Sequence, residues 1–275
     1  MSANLYALGA IALWVTLASL GLALRHVPPF LLTGIALAIG SVLALPRIHE
    51  WRVPASTLAL GVYGLFGYHF LLFIALRHAP PVEANLVNYL WPLLIVVLAP
   101  LFLPGMRLKP LHVIAAVIGF AGAAVAILGG GGSRASGAWS WGYLPALGSA
   151  FMWSTYSLAT RRVKPFPTSA IGLFGLVSGL LSLACHALLE PSVSLNAQDW
   201  LLIALMGLGP LGAAFFLWDK ALKLGDARQI GILSYLTPLG STALLVLVSG
   251  RGFDASIVAA ALLIIGAAVV GTRVK

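Results

Sequence analysis

The chain has 275 residues, of which 60% are hydrophobic and 8% charged, against roughly 25% charged in soluble domains. A net charge of +9 would suit nucleic acid, but the basic residues are spread between apolar runs instead of forming one basic segment, which excludes that partner. The single cysteine, Cys185, excludes an internal disulfide and any paired-cysteine redox motif.

In chain order the charge-free stretches are Leu5–Leu24, Phe30–Leu45, Leu58–Leu76, Ala84–Leu103, Leu111–Leu128, Gly142–Thr160, Ser169–Leu189, Trp200–Trp218, Ile230–Val248 and Ala255–Val270. Every Lys, Arg, Asp and Glu lies outside them. A spanning helix needs about 17–25 apolar residues, so the second and tenth stretches must extend into their flanks. The first has no basic region ahead of it and no cleavage-like site, which predicts a retained span. The expected fold is an all-α polytopic membrane protein with ten transmembrane helices. With the N-terminus in the cytoplasm, twelve basic residues fall inside and only Arg25, Arg77, Arg134 and Arg251 outside. That asymmetry predicts cytoplasmic termini and an affinity for anionic lipid head groups.

The chain also repeats itself. Ala7-Leu8-Gly9-Ala10 returns as Ala146-Leu147-Gly148-Ser149 at an offset of 139, and each run ends in a tryptophan, Trp14 and Trp153. Asn88-Tyr89-Leu90-Trp91-Pro92 returns as Ser234-Tyr235-Leu236-Thr237-Pro238 at an offset of 146. Gly122-Ala123-Ala124-Val125 returns at Gly266 after 144. If each copy holds five spans, an odd number, the second lies upside down relative to the first, as in many transporters. The expected units are residues 1–130 and 138–275, joined by a Gly-rich linker over 129–141. The Gly129–Gly132 run follows no strand and lacks the Lys-Ser/Thr of a phosphate loop.

Small residues mark helix contacts: Gly175 with Gly179, Ala267 with Gly271, and the ladder Gly61, Gly64, Gly67. Trp51, Trp139, Trp141 and Trp200 stand at span ends as interfacial anchors, and Trp218 fits either an end or an interior. Trp14, Trp91 and Trp153 lie near mid-helix, where an interfacial role fails.

Proline has no N–H, so Pro92 should release the carbonyl of Asn88, and Pro238 that of Ser234. At helical spacing Asn85, Asn88, Tyr89 and Pro92 share one face, as do Ser234, Tyr235 and Pro238. Polar groups facing lipid cost several kcal/mol each, so these faces must be buried or line a wet cavity. In the sixth span Trp153, Tyr156, Ser157 and Thr160 form a similar stripe, and Tyr68 and His69 sit at the middle of the third. Such a chamber is uncharged and suits a planar, amphiphilic solute. No Asp or Glu falls within a span. His69 reads either as a hydrogen-bonded packing residue or as a proton relay. Glu83 and Asp219 are expected in surface pairs, Asp219 with Lys223 four residues on. No metal-ligand spacing and no cofactor motif is present, and a monomer is expected.

Val87-Asn88-Tyr89-Leu90-Trp91-Pro92, Trp153-Ser154-Thr155-Tyr156 and Ser234-Tyr235-Leu236-Thr237-Pro238 resemble the EamA-type transporters of the drug/metabolite transporter superfamily. The likeness is greatest to the bacterial YddG-type aromatic amino acid exporters. The resemblance implies export of Phe, Tyr and Trp, and of planar cations, across a bacterial inner membrane. It implies a cavity of Trp14, Tyr68, His69, Asn88, Tyr89, Trp91, Trp153, Tyr156 and Tyr235, with bending at Pro92 and Pro238. Two alternatives remain open: a carrier for another small metabolite such as a nucleotide sugar, which would want basic residues facing the cavity, and a proton-coupled drug exporter. A membrane enzyme would need paired carboxylates, a metal cluster or an activated nucleophile, and the spans carry none.

Overall fold

The computed structural model describes residues 2–129, 139–248 and 255–273. Most of the Gly-rich linker, with Arg134, Arg251 and Lys275, lies outside the described residues. Every regular element among the described residues is a helix, and no strand occurs among them. The helical rods are α1 (Ala3–Ala23), α2 (Pro29–Trp51), α3 (Ala55–His78), α4 (Pro81–Phe102) and α5 (Pro110–Leu128). They continue with α6 (Tyr143–Ala159), α7 (Ala170–Leu189), α8 (Ala197–Leu224), α9 (Ala227–Val248) and α10 (Ala255–Arg273). Among the described residues eight rods are long and apolar enough to cross a membrane; α6 and the apolar part of α10 are shorter. The second rod does extend past its apolar stretch, as expected, ending in a 3-10 segment from Val42 to Trp51.

Several rods are not continuous α-helix. α4 breaks after Asn88, and its second part starts at Trp91. α9 breaks after Leu233 and restarts at Leu236. Pro92 and Pro238 thus fall in the first turn of a new helix, where a missing N–H costs nothing because those donors have no intrahelical partner. One expectation is corrected here. The Ser234 carbonyl is not left free, since the Thr237 N–H closes a tight turn onto it at 3.0 Å. α3 and α8 each contain one π-helical turn, Tyr63–Gly67 and Gly209–Ala213, and these are 146 residues apart, the repeat offset itself.

The packing repeats as well. α1 lies on α8 and α3 on α6; α2 pairs with α7, α5 with α10 and α4 with α9; α4 also meets α6, and α1 meets α9. Exchanging the two halves leaves this set of neighbours unchanged. The ends of α3 and α8 match in chemistry too. Arg77 stands 5.7 Å over the Phe30 ring and binds Glu190, while Lys223, 146 residues later, stands 3.9 Å over Phe166 and binds Asp219.

Lipid supplies no hydrophobic push between helices, so close backbone approach holds the rods together. A Cβ on Gly179 would meet the Gly34 carbonyl at 2.8 Å, so α2 and α7 cross nearly backbone to backbone. A Cβ on Gly64 would fall inside the Tyr156 ring, which packs flat onto α3 at its π-turn. The Gly61–Gly67 ladder is therefore a packing surface for Phe174, Tyr156 and Met152. Of the expected interfacial tryptophans, Trp139, Trp141 and Trp200 are exposed; Trp51 is instead buried against Gly172.

Polar groups brace the ends. Glu190, beyond the end of α7, accepts the Phe30 N–H at 3.0 Å, the Leu31 N–H at 3.2 Å and Arg77 at 2.8 Å, and contacts His186 at 3.0 Å. Its carboxylate caps the N-terminus of α2 while tying α7 to α3. Glu190→Ala should cost about 2–3 kcal/mol, the worth of charge-assisted hydrogen bonds left unmade. Thermal unfolding in detergent checks this, with an unchanged midpoint as the contrary result. Between α8 and α9, burial resists charge on Asp226, but Arg228 outweighs it with hydrogen bonds of 2.6–3.2 Å and holds that carboxyl below its usual range.

Candidate functional site

Where α1, α2, α3, α4, α6, α8 and α9 converge they leave a cavity of about 420 Å³, within the size range of small-molecule sites. Seven of the ten residues expected from the sequence line it: Trp14, Tyr68, His69, Asn88, Tyr89, Trp91 and Trp153. No lining side chain is Asp, Glu, Lys or Arg. The cavity reaches from this centre toward Pro29, Leu76 and Asn85, the end of the bundle where α1 and α3 finish and α2 and α4 begin.

Its floor is made of tryptophan. Trp14, Trp91 and Trp153 line it, and with Trp218 behind them, one each from α1, α4, α6 and α8, they form a cluster in which every pair of ring centroids lies between 5.2 and 6.4 Å. Phe215 adds a ring 5.6 Å from Trp153. Mutual edge-to-face and tilted packing gives such clusters a fixed geometry, each pair contributing about 0.5–1.5 kcal/mol beyond burial. Two indole N–H groups are spent on holding the cluster. Trp14 Nε1 donates to the Pro210 carbonyl at 3.1 Å, in the π-turn of α8, and Trp218 Nε1 donates to Ser157 Oγ at 3.1 Å.

On one wall the amide of Asn88 organises its neighbours. Its Nδ2 donates to the Tyr68 hydroxyl at 3.2 Å, and its Oδ1 accepts from Ser149 at 2.9 Å. Ser154 donates to the Trp91 carbonyl at 3.1 Å, pinning the broken helix α4 to α6. His69 Nδ1 lies 2.6 Å from the Leu65 carbonyl.

Three expected residues stand elsewhere. Tyr156 is buried against Gly64, on the far side of Trp153 from the cavity, because the missing side chain at Gly64 makes room there. Ser234 donates back to the Gly231 carbonyl at 2.6 Å. Tyr235 packs on Gly119 among Ala123 and Ile264, in a separate cluster with α5 and α10. In the α6 stripe only Trp153 faces the cavity; Ser157 serves Trp218. The pair Asp219–Lys223 forms at 2.7 Å as expected, yet it is not on the surface. Asp219 is 2% exposed within α8, and Thr168 donates to the same oxygen at 2.7 Å.

The sequence reading left Trp218 open between an end and an interior, and overlooked Thr237 and Phe215. For Thr237 and Phe215 a signal existed: the offset of 146 carries Trp91 to Thr237 and His69 to Phe215, and all four line the cavity.

The end of the bundle opposite the cavity is closed. Arg162 donates to the Leu101 carbonyl at 2.6 Å and to that of Phe102, joining the end of α6 to the end of α4. Arg228 reaches the Arg107 carbonyl, and Arg161 the Gly225 carbonyl at 3.2 Å. Lys223 donates to the Phe166 carbonyl at 2.9 Å.

Comparison with known proteins agrees with this architecture. The EamA-like transporter family matches twice, over residues 1–128 and 140–272. A protein of Ancylobacter novellus named aromatic amino acid exporter YddG is 43% identical, the match covering 98% of this chain and 97% of that one. The Escherichia coli protein of the same name is 28% identical, over 88% and 87%. A protein of known crystal structure, 42% identical, superposes with a TM-score of 0.90 over 98% of this chain and 97% of its own. With the family matching both halves and relatives this similar along nearly the whole chain, this multi-pass inner-membrane chain is a transporter and belongs to the EamA-like transporter family.

Proposed function

We propose that the protein exports aromatic amino acids (Phe, Tyr and Trp) by alternating access around this cavity, with planar amphiphilic cations as further cargo. The observation that carries the reading is the cavity itself: about 420 Å³, floored by tryptophan and lined by no charged side chain. An aromatic ring gains stacking there, while Asn, Thr and Tyr groups meet the polar end. The printed activity of the Ancylobacter and Escherichia relatives agrees.

In this reading the rods α1 to α10 are ten spans, two oppositely oriented fives, with both termini in the cytoplasm. The binding residues are those lining the cavity, and the breaks before Pro92 and Pro238 are where α4 and α9 bend. The matched π-turns and the half-for-half packing support the inverted arrangement. With that topology the cavity opens away from the cytoplasm, and the contacts of Arg161, Arg162 and Arg228 close the cytoplasmic side. Export then requires those contacts to part as the halves rock.

The test is counterflow of radiolabelled phenylalanine in proteoliposomes. Asn88→Ala removes the amide that orients Tyr68 and should slow counterflow roughly tenfold, the upper end of what one neutral hydrogen bond contributes. Competition by nucleotide sugars and not by aromatic amino acids would defeat the reading. One observation favours proton coupling as a second reading: Asp219 is a buried carboxylate within a span, and its Oδ1 has no hydrogen-bond partner among the described residues. Flux that follows an imposed pH gradient in wild type and not in Asp219→Asn is the result that reading requires.

A further inference from the structure

We propose that His69 is the receptor for the ammonium group of the cargo, through the lone pair on its Nε2. This rests on the export reading above and adds the chemical requirement that cargo carry a primary amine.

The inference starts from the tautomer. Nδ1 stands 2.6 Å from the Leu65 carbonyl, and a carbonyl only accepts, so Nδ1 carries the proton and donates. In the neutral ring Nε2 is then an acceptor. His69 is buried and lines the cavity, and no hydrogen bond to Nε2 forms among the described residues. Every other nitrogen on the lining side chains donates: the indoles of Trp14, Trp91 and Trp153 and the amides of Asn85 and Asn88. Among the oxygens, Asn88 Oδ1 is engaged by Ser149 and the Tyr68 hydroxyl by Asn88 Nδ2, while the Thr237 hydroxyl has no partner among the described residues and, unlike Nε2, can donate as well as accept.

A cation entering this cavity finds no carboxylate, so it must be held by neutral acceptors and ring faces. His69 offers both. The Tyr68 ring lies 4.9 Å from the imidazole, Phe73 6.0 Å and Phe215 6.4 Å, a partial aromatic cage around the acceptor nitrogen. Ring faces attract any cation, including a quaternary one. A lone pair is satisfied only by an N–H. The combination therefore selects a primary ammonium over a quaternary ammonium and over no cation at all.

The test compares three ligands as competitors of phenylalanine counterflow: L-phenylalanine, 3-phenylpropionate, which lacks the amine, and N,N,N-trimethylphenylalanine, which keeps the charge and lacks the N–H. Wild type should prefer L-phenylalanine over both analogues by about tenfold or more, the worth of a hydrogen bond to a charged group. In His69→Phe the preference over the trimethyl analogue should collapse to within about threefold, since only ring faces remain. If phenylalanine moves but the three ligands compete equally in wild type, the ammonium assignment is overturned and the export reading stands. If wild type moves no aromatic amino acid, both fall. Should His69→Phe fail to fold, the wild-type series decides alone, and an undiminished preference in a folded His69→Phe also overturns the assignment.

Discussion

Trp153→Ala is expected to lower phenylalanine counterflow about 100-fold, a loss of some 3 kcal/mol in organisation of the site. Trp153 touches more rings than any neighbour needs for simple packing: Trp14 at 6.0 Å, Trp91 at 6.4 Å, Trp218 at 6.3 Å, Phe215 at 5.6 Å, Tyr68 at 5.5 Å and Tyr156 at 5.4 Å. It is both the floor of the cavity and the bridge between four rods. Truncation removes the stacking surface and frees Trp14 and Trp91 to relax into the space. Part of the effect is on stability, since large-to-small changes at buried aromatics cost about 3–5 kcal/mol. Trp153→Phe separates the two contributions. It should restore most of the thermal stability and only part of the flux, because a single ring spans less of the floor. A wild-type rate in Trp153→Ala, with the protein folded by size-exclusion chromatography, would mean that the substrate does not use this floor.

Gly64→Leu should prevent stable assembly. The Cβ alone would overlap the Tyr156 ring, and Tyr156 is itself wedged behind Trp153. Neither can yield: Tyr156 is buried, and α3 is already widened at its π-turn. Overpacking a filled core costs about 1–3 kcal/mol for small insertions, and a leucine against a fixed ring exceeds that. The expected outcome is aggregated or unfolded protein on detergent extraction. Gly266→Ala is the matched control. A Cβ there meets nothing within 4 Å, so it should be neutral or stabilise α10 by about 0.5–1 kcal/mol. Equal yields and melting points for the two variants would show that the Tyr156–α3 contact does not hold the bundle.

Much of the site was legible before any coordinates. Trp14, Trp91 and Trp153 betrayed themselves by lying at mid-span, where neither interfacial anchoring nor ordinary lipid contact explains an indole N–H. Asn88 did so because an amide cannot face hydrocarbon. Proline located the helix breaks to within two residues. Carbonyl bonding was harder to foresee: Ser234 was expected to offer a free oxygen, and a 3-10-like turn from Thr237 claims it. The fate of Asp219 was not legible either. It stands near a span end with Lys223 at i+4, a pattern usual on surfaces, and only the approach of Thr168 and Phe166 from the start of α7 buries it.

The residues alone determined that this chain lives in lipid, that it is written twice, and which spans carry polar faces, because hydrocarbon penalises every charge and unbonded polar group wherever it falls. They could not decide which member of each repeated pair meets the cavity. Tyr89 and Tyr235 occupy equivalent positions, yet Tyr89 lines the cavity and Tyr235 is packed away from it. Trp91 and Thr237 are equally equivalent, and both line it. The space reaches toward one end of the bundle, and arginine–carbonyl contacts tie the helix ends at the other, so some groups are bared while their counterparts pack. That asymmetry is a property of how the two halves lean on each other, and only tertiary structure carries it.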